Sequence, residues 1–197
     1  MTPPAAPLDL LLLPSWLVPV EPAGVVLKAH GLGIRDGRIA FIGPRDQALK
    51  LAAHEVRELP GVLLSPGLVN AHGHAAMSLF RGLADDLPLM RWLEDHIFPV
   101  EAALTATTVY HATRLSLCEM IKSGTTSFCD MYLFAGEVAR AAAEAGMRAW
   151  VGEVLYDFPS PSYGPLEKGF VCTRELIDRY REHPLVTATV DPHAVYT

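Results

Sequence analysis

The sequence has few cysteines and no cluster of basic residues. Its three cysteines, Cys118, Cys129 and Cys172, are widely spaced and form no Cys-x-x-Cys pair. An odd number of isolated thiols argues against a disulfide framework or a cysteine metal site and indicates a cytoplasmic protein with reduced thiols. The 22 Asp and Glu exceed the 16 Lys and Arg, which gives a formal net charge of −6. With no run of five basic residues, we expect no binding to nucleic acid or to an anionic membrane surface.

An unbroken apolar stretch of membrane-spanning length is also missing. The apolar segment 8–20 is interrupted by Asp9, Pro14 and Pro19, and no Lys or Arg precedes it. A secretory signal needs a basic start, and a transmembrane helix needs about 20 unbroken apolar residues. We therefore expect neither, and we interpret the segment as a buried strand with its turn.

Short strands separated by Pro and Gly fill the first third of the chain. Branched and aromatic residues between these turn residues predict a small β-domain of sandwich type over residues 1–62. The dipeptide Asp36-Gly37 predicts a type I′ hairpin, because both residues tolerate the positive φ that this turn requires. The predicted strands cover residues 10–13, 16–20, 25–27, 32–34, 38–42 and 56–59.

From about residue 62 onward, strands alternate with helices. This alternation predicts an α/β fold with a parallel sheet and right-handed crossovers. A closed eight-stranded barrel needs roughly 250 residues. Residues 63–197 are therefore expected to form the first four βα units of an incomplete (β/α)8 TIM-like barrel. The predicted strands are 62–69, 125–129, 148–155 and 185–190, and the predicted helices are 87–98, 105–123, 134–145 and 173–183.

The feature with the clearest chemistry is His72-Gly73-His74, which follows an apolar run and Pro66-Gly67. Side chains two apart on a strand point the same way, so the two imidazoles can bind one cation. The carboxyl end of a barrel strand faces the catalytic mouth. Two purely structural histidines are the alternative interpretation, and the position after the first barrel strand favours a metal site.

The segment 64–77, Leu-Ser-Pro-Gly-Leu-Val-Asn-Ala-His-Gly-His-Ala-Ala-Met, resembles the signature of the amidohydrolase superfamily. Further motifs follow in the order seen in methylthioadenosine/S-adenosylhomocysteine deaminases and their chlorohydrolase relatives. The resemblance spans residues 8–197, and the ordered series is more specific than any one motif. The motifs are Arg81-Gly82, Asp85-Asp86-Leu87, Trp92-Leu93, Pro99-Val100-Glu101, Leu104-Thr105, Gly124-Thr125-Thr126, Asp130-Met131-Tyr132, Gly146-Met147-Arg148-Ala149 and Pro192-His193-Ala194-Val195-Tyr196.

The resemblance implies roles for four residues. His72 and His74 match the first two ligands of Zn²⁺ or a similar divalent ion, which lowers the pKa of bound water toward about 7. Glu101 matches the carboxylate that accepts hydrogen bonds from ribose hydroxyls; alternatively it is a solvated acid at a helix N-terminus. His193 matches the histidine that contacts the base under attack; alternatively it is a capping or surface histidine.

The resemblance assigns no single role to several other residues. Glu153 stands where some of these deaminases carry an arginine, which leaves the exact substrate open. Asp130 either lines the mouth of the barrel or caps the next helix, and Trp92 either walls the pocket or belongs to the core. The remaining histidines are expected in helices or turns with structural or solvent roles. They are His30, His54, His96, His111 and His183.

The family mechanism also needs a third metal-binding histidine, a glutamate that shuttles protons and an aspartate on strand eight. None of these falls within the matched motifs, so we expect no complete catalytic set and no turnover from this chain alone. The complete protein is expected to deaminate an adenosine-like nucleoside by hydrolysis.

Three alternatives remain open. One is hydrolysis of a C–N or C–Cl bond of another heterocycle, such as guanine or a triazine. Another is a non-catalytic half-barrel that needs a partner, either a second copy or a missing C-terminal half, because an open barrel exposes sheet edges. A β-domain fused to a helical cap would explain the patterning but not the ordered motifs.

Overall fold

A computed structural model of the chain describes residues 6–195 and Thr197. The chain divides into two compact units, Met1–Pro66 and Gly67–Thr197. Tyr196, the last residue of the motif that begins at Pro192, lies outside the described residues. Within the described part of the chain, no helix is both long enough and apolar enough to cross a membrane.

The first unit is built on one five-stranded sheet. Its longest pairing joins β1 to β5 in parallel, while β2 and β3 pair antiparallel with β1 and β4 pairs antiparallel with β3. Leucines of β1 and Ala48 form its buried core. The described strands of this unit thus form a small β-domain with one sheet, and the sandwich type expected for residues 1–62 stays a prediction. Its elements are β1 (Leu8–Leu17), β2 (Leu27–Lys28), β3 (His30–Arg35), β4 (Arg38–Pro44), α1 (Arg45–Ala48) and β5 (Ala53–Leu64).

The predicted hairpin is confirmed, but the division of the first strand is wrong. Asp36 and Gly37 both have positive φ, 52° and 69°, between the antiparallel strands β3 and β4, as a type I′ turn requires. Residues 10–13 and 16–20 were expected as separate strands, yet β1 continues through Pro14. The β1–β5 register shifts between Pro14 and Trp16. Such an irregularity accommodates a residue that has no N–H to donate.

The second unit alternates parallel strands with helices. Strands β6, β7 and β8 are neighbours in chain order, and β9 and β10 both pair with β8; every one of these pairings is parallel. This is the arrangement of the first half of a (β/α)8 barrel, as the sequence pattern predicts. The elements are β6 (Leu68–Asn70), a 3₁₀ helix (Ala75–Phe80), α2 (Leu89–Trp92), a π-helical stretch (Leu93–Ile97), α3 (Phe98–Glu101), α4 (Ala106–Lys122), β7 (Thr125–Tyr132), α5 (Ala135–Ala145), β8 (Arg148–Leu155), α6 (Leu166–Tyr180), β9 (Val186–Ala188) and β10 (Asp191–Pro192).

Several boundaries in this unit differ from the predicted ones, and the largest differences are at the starts of β6 and α6. The apolar run 62–69 was expected as one barrel strand, but its first residues belong to β5, and only Leu68–Asn70 forms β6. The intervening Ser65-Pro66-Gly67 separates β5 from β6, because Pro66 has no backbone N–H to donate to a neighbouring strand. Helix α6 begins at Leu166, directly after Pro165, rather than at residue 173. A proline at the start of a helix is well tolerated, since the first N–H groups have no partner in the helix.

A single core holds the strands of the second unit in place. Phe128 of β7 and Val151 of β8 are fully buried beneath Leu117 of α4 and Val138 of α5. Helix α4 begins where predicted, because the Thr105 hydroxyl accepts the Thr108 N–H (3.2 Å). The carboxyl ends of β6, β7 and β8 are thereby kept at one edge of the sheet, where the candidate site residues follow the strands.

Candidate active site

The two histidines of the His-Gly-His motif lie side by side just beyond β6. Their rings meet edge to face, with centroids 5.1 Å apart and planes at 82°. His72 is exposed, and its backbone N–H donates to Oδ1 of Asn70 (3.3 Å), whereas His74 is partly buried. The spacing therefore brings both imidazoles together as expected, and metal binding by the pair stays a prediction.

The orientation of His74 is set by the neighbouring strand. Its Nδ1 lies 2.7 Å from the carbonyl oxygen of Met131 in β7. A carbonyl oxygen can only accept, so Nδ1 carries the hydrogen and Nε2 keeps its lone pair for a cation. Gly73 lets the backbone beside His74 lie close to its neighbours. A Cβ at position 73 would lie 3.0 Å from Nδ2 of Asn70 and 3.5 Å from the Cys129 carbonyl oxygen.

Three of the four predicted site residues share one cavity of about 70 Å³. They are His74, Glu101 and His193, which come from three separate parts of the chain; His72 is not among the lining residues. The wall is mostly apolar and aromatic, as is typical of a small-molecule site. The full lining is His74, Met77, Trp92, Leu93, Ile97, Phe98, Glu101, Met131, Tyr132, Val154, Tyr156 and His193.

Glu101 is a buried acid at the end of α3. Only 5% of the residue is exposed, so the alternative of a solvated helix acid is wrong. Burial raises the pKa of the Glu101 carboxyl, and the Tyr132 hydroxyl, which approaches it, partly opposes this shift. Tyr132 is 3% exposed, and its hydroxyl approaches Glu101 without completing a regular hydrogen bond to any described residue. Burial and the Glu101 charge together raise the pKa of the Tyr132 hydroxyl.

His193 follows β10 and is hydrogen-bonded both to β8 and to Thr197. Its backbone N–H donates to the Leu155 carbonyl oxygen (3.1 Å), and its Nδ1 is hydrogen-bonded to Oγ1 of Thr197 (2.8 Å). Its ring lies 5.1 Å from that of Tyr156. Burial lowers the pKa of the His193 imidazole, and the nearby His74 lowers it further. His193 therefore faces the cavity as a neutral ring near neutral pH.

Aromatic residues to which sequence reasoning assigned no role also line the cavity, namely Phe98, Tyr132 and Tyr156. Tyr156 stacks on Phe158, with ring centroids 4.6 Å apart and planes at 13°, and Phe98 meets Phe158 edge to face at 5.7 Å. Trp92 lines the cavity, which agrees with its interpretation as a pocket wall. Tyr132 and Tyr156 stand at or just after the ends of β7 and β8. That position is the signal that could have identified them.

Glu153 is absent from this cavity lining and has a different role. Its carboxylate accepts the N–H groups of Phe134 (3.2 Å) and Ala135 (2.8 Å), and also the Ser162 hydroxyl. It therefore caps the N-terminus of α5 from the adjacent strand. Burial raises the pKa of the Glu153 carboxyl, and the three hydrogen bonds oppose that shift.

Asp130 matches neither of its two expected roles. It is fully buried, and its Oδ1 accepts the N–H of Ala75 (2.5 Å), at the start of the 3₁₀ helix rather than of α5. Burial raises the pKa of Asp130 to about 7; the Ala75 bond opposes the shift, and the Asp191 charge adds to it.

The remaining histidines lie outside the cavity lining. His30 and His54 were expected in helices or turns, but they lie on β3 and β5, because strand pairing extends beyond the apolar positions that predicted it. His183 has a structural role, since its Nδ1 accepts the N–H groups of Leu185 (3.2 Å) and Val186 (3.0 Å).

Comparisons with known proteins agree with this architecture. A 5-methylthioadenosine/S-adenosylhomocysteine deaminase from Syntrophobacter fumaroxidans is 54% identical over 190 residues, covering 96% of this chain and 43% of the relative. A protein of the same name from Saccharophagus degradans is 46% identical over 199 residues, covering 97% and 43%. An adenosine deaminase from Xanthomonas campestris, solved with bound zinc, has a TM-score of 0.94 at 42% identity, covering 99% of this chain and 45% of that one.

These matches identify the family and show how much of its relatives the chain covers. The chain spans about 43% of the length of the curated relatives that it matches. A guanine deaminase from C. acetobutylicum has a TM-score of 0.78 at 22% identity, covering 94% of this chain and 46% of that one, and shares the fold. Residues 63–197, more than half of the chain, match the model of the Amidohydrolase family. The resemblance inferred from the motifs is confirmed, and the chain belongs to the amidohydrolase family.

Proposed function

We propose that this chain forms the first part of a hydrolytic deaminase for adenosine-like nucleosides, such as 5-methylthioadenosine or S-adenosylhomocysteine. The observation that carries the proposal is the meeting of His74, Glu101 and His193 in one cavity. Two relatives named for this activity match nearly the whole chain. Together, the cavity and the relatives support a nucleoside pocket beside a metal site.

The donor set fits a divalent ion. His72 and His74 would hold it, and two imidazoles suit a borderline cation such as Zn²⁺. When bound, such an ion supplies a water nucleophile near neutral pH. Within residues 6–195 and Thr197, no group of three or more His, Cys, Asp and Glu could hold a metal. The two histidines therefore make an incomplete ligand set, and we propose that the 197-residue chain has no turnover by itself.

The other cavity residues suit the two ends of a nucleoside. The Glu101 carboxylate accepts hydrogen bonds from ribose hydroxyls, which would compensate the cost of its burial. His193, as a neutral imidazole, can form a hydrogen bond with a ring nitrogen of the purine. Trp92 and Tyr156 offer aromatic surface to the base. We propose that these residues orient the substrate.

The proposal is tested by ammonia release from the complete gene product that contains this chain. Purified, zinc-loaded protein is given 5-methylthioadenosine, S-adenosylhomocysteine and adenosine, with guanine and a chlorotriazine as competing substrate classes. We expect turnover of the adenosine-like compounds alone. Turnover of guanine or the triazine without turnover of any adenosine derivative would replace the proposal with the rival chemistry.

An exposed sheet edge favours the further proposal that this half of a barrel needs a partner. Among the described strands, β6 pairs only with β7, and Leu68 and Val69 are 61% and 67% exposed. An unpaired apolar edge promotes association with another strand. We propose that further barrel strands or a second copy cover this edge. Light scattering on the 197-residue chain should therefore find self-association, and a monodisperse monomer argues against this proposal.

A further inference from the structure

Three hydrogen bonds join the end of β7 to the segment that follows β6. The Ala75 N–H donates to Oδ1 of Asp130 at 2.5 Å. Nδ1 of His74 donates to the carbonyl oxygen of Met131 at 2.7 Å. The Met131 N–H in turn donates to the carbonyl oxygen of Gly73 at 3.3 Å. The backbone on both sides of His74 is therefore held by the neighbouring strand.

The bond from Asp130 replaces a cap that His74 cannot provide. His74 is the N-cap residue of the 3₁₀ helix Ala75–Phe80, and its side chain makes no cap hydrogen bond. The first N–H groups of a helical turn have no acceptor within the turn, and an N-cap side chain usually supplies one. The imidazole of His74 is instead committed to Met131. Asp130 supplies the missing acceptor from the next strand.

Burial of the Asp130 carboxyl costs free energy of folding, which argues that its hydrogen bond to the Ala75 N–H has a role. The residue is 0% exposed, and its Oδ2 has no hydrogen-bond partner among the residues that the structure describes. A buried carboxyl without full compensation destabilises a fold, whereas an apolar side chain there would not. A second hydrogen bond holds the other side of Ala75: the Ser116 hydroxyl of α4 donates to the Ala75 carbonyl oxygen (2.5 Å). Ala75 is thus held at both its N–H and its C=O.

We propose that Asp130 is a positioning residue for the metal site. By accepting the Ala75 N–H, it fixes the backbone that follows His74 and keeps Nδ1 of His74 on the Met131 carbonyl oxygen. Nε2 is then the atom available to a divalent ion. The inference rests on the proposed function, because it assumes that His74 is a ligand.

The test uses the complete gene product that contains this chain, with three substitutions introduced one at a time. Asp130→Leu removes the acceptor, and Asp130→Asn keeps one. Val138→Ala of α5, a buried residue that takes part in none of the three hydrogen bonds, is the control for core destabilisation. The Zn²⁺ dissociation constant is measured by competition with a chromophoric chelator, and the His74 tautomer by long-range ¹H–¹⁵N correlation in metal-free protein. Asp130→Leu should weaken Zn²⁺ binding about 10- to 100-fold and abolish the single Nδ1–H tautomer. Asp130→Asn and Val138→Ala should retain both properties.

The readouts separate failure of this inference from failure of the metal site. If the wild-type protein binds no Zn²⁺, the proposed ligand role of His74 fails, while the tautomer still decides whether Asp130 positions the ring. An unchanged tautomer and Zn²⁺ affinity in Asp130→Leu would overturn the inference. If that variant does not fold, hydrogen exchange of the wild-type Ala75 amide decides instead. Slow exchange supports the bond to Asp130, and exchange at the rate of an exposed amide contradicts it.

Discussion

Glu101 and Tyr132 face each other inside the cavity although they come from different elements of the chain. The carboxyl at the end of α3 lies near the hydroxyl at the end of β7, and both residues are at least 95% buried. A buried carboxyl is costly unless it is hydrogen-bonded, and Tyr132 does not complete such a bond. This acceptor capacity supports the proposal that Glu101 binds the hydroxyl groups of a ligand.

Replacing Glu101 with Gln should weaken binding of ribose-containing substrates. Loss of a charged hydrogen-bond acceptor costs about 1.5–3 kcal/mol, which corresponds to an increase in KM of about 10- to 100-fold. The measurement is KM of the complete gene product for adenosine and for 2′,3′-dideoxyadenosine, which lacks the 2′- and 3′-hydroxyls. The exposed Glu94→Gln is the matched control. An equal effect on both substrates would argue against contact between Glu101 and ribose.

Replacing Gly152 with Ala should destabilise the second unit. An added Cβ would lie 2.2 Å from Oδ2 of Asp191 and 2.8 Å from Oγ1 of Thr189, two atoms that share a hydrogen bond. Overpacking of this kind costs about 1–3 kcal/mol. Gly136→Ala is the matched control, because its nearest atom is Arg179 Nη1 at 3.7 Å and it lies in α5. The control should gain up to about 1 kcal/mol. Urea unfolding compares the pair, and equal effects would refute the crowding at Gly152.

Replacing Glu153 with Gln should change how stability depends on pH. The folded pKa of Glu153 is raised above its usual value of 4.5, mainly by burial. The folded state therefore binds this proton more tightly than the unfolded state does. The resulting stabilisation is fully present below the usual pKa and is lost as pH rises through the raised folded value. Relative to Glu153→Gln, the wild type should lose stability with rising pH.

The measurement for Glu153 is a series of urea unfolding curves between about pH 4 and 8. Glu153→Gln also loses part of the cap on α5, which lowers stability at every pH, so the slope of the difference is the readout. Glu182→Gln, an exposed acid after α6, is the control for loss of one charge. A difference that is constant with pH, or that grows in favour of the wild type as pH rises, would contradict the raised pKa.

Truncating Phe128 to Ala should produce the largest loss of stability among these substitutions. Phe128 is 0% exposed at the centre of the core of the second unit. Phe→Ala substitutions in cores cost about 3–5 kcal/mol, through lost burial and the cavity that remains. Phe170→Ala on α6, where the residue is 49% exposed, should change stability by about 0.5 kcal/mol or less. Similar losses at the two positions, measured by thermal or urea unfolding, would refute the assignment of the core.

Local signals account for the parts of the fold that could be predicted. Thr105 and Gly124 bracket α4 because one caps the first turn and the other follows the last, and Asp36-Gly37 determines a hairpin by its positive φ angles. The continuation of β1 through Pro14 could not be predicted, because it depends on a register shift against β5, far along the chain.

The same distinction applies to the candidate site. The motif predicted that the rings of His72 and His74 lie close together, and their centroids are 5.1 Å apart, although both residues follow β6 rather than belong to it. The capping of Ala75 by Asp130 joins residues 55 apart in the chain. It follows from the pairing of β6 with β7, which no local pattern specifies. For the same reason, the approach of Tyr132 to Glu101 was not predicted.

Zinc binding by the metal-free complete gene product that contains this chain tests the central claim most directly. Isothermal titration is carried out on the wild type, on the double variant His72→Ala/His74→Ala, and on His111→Ala, which removes an exposed histidine from α4. We expect the wild type and His111→Ala to bind Zn²⁺ at one site with similar affinity and the double variant to lose that site. A wild type that binds no zinc, or a double variant that binds it unchanged, would contradict the account.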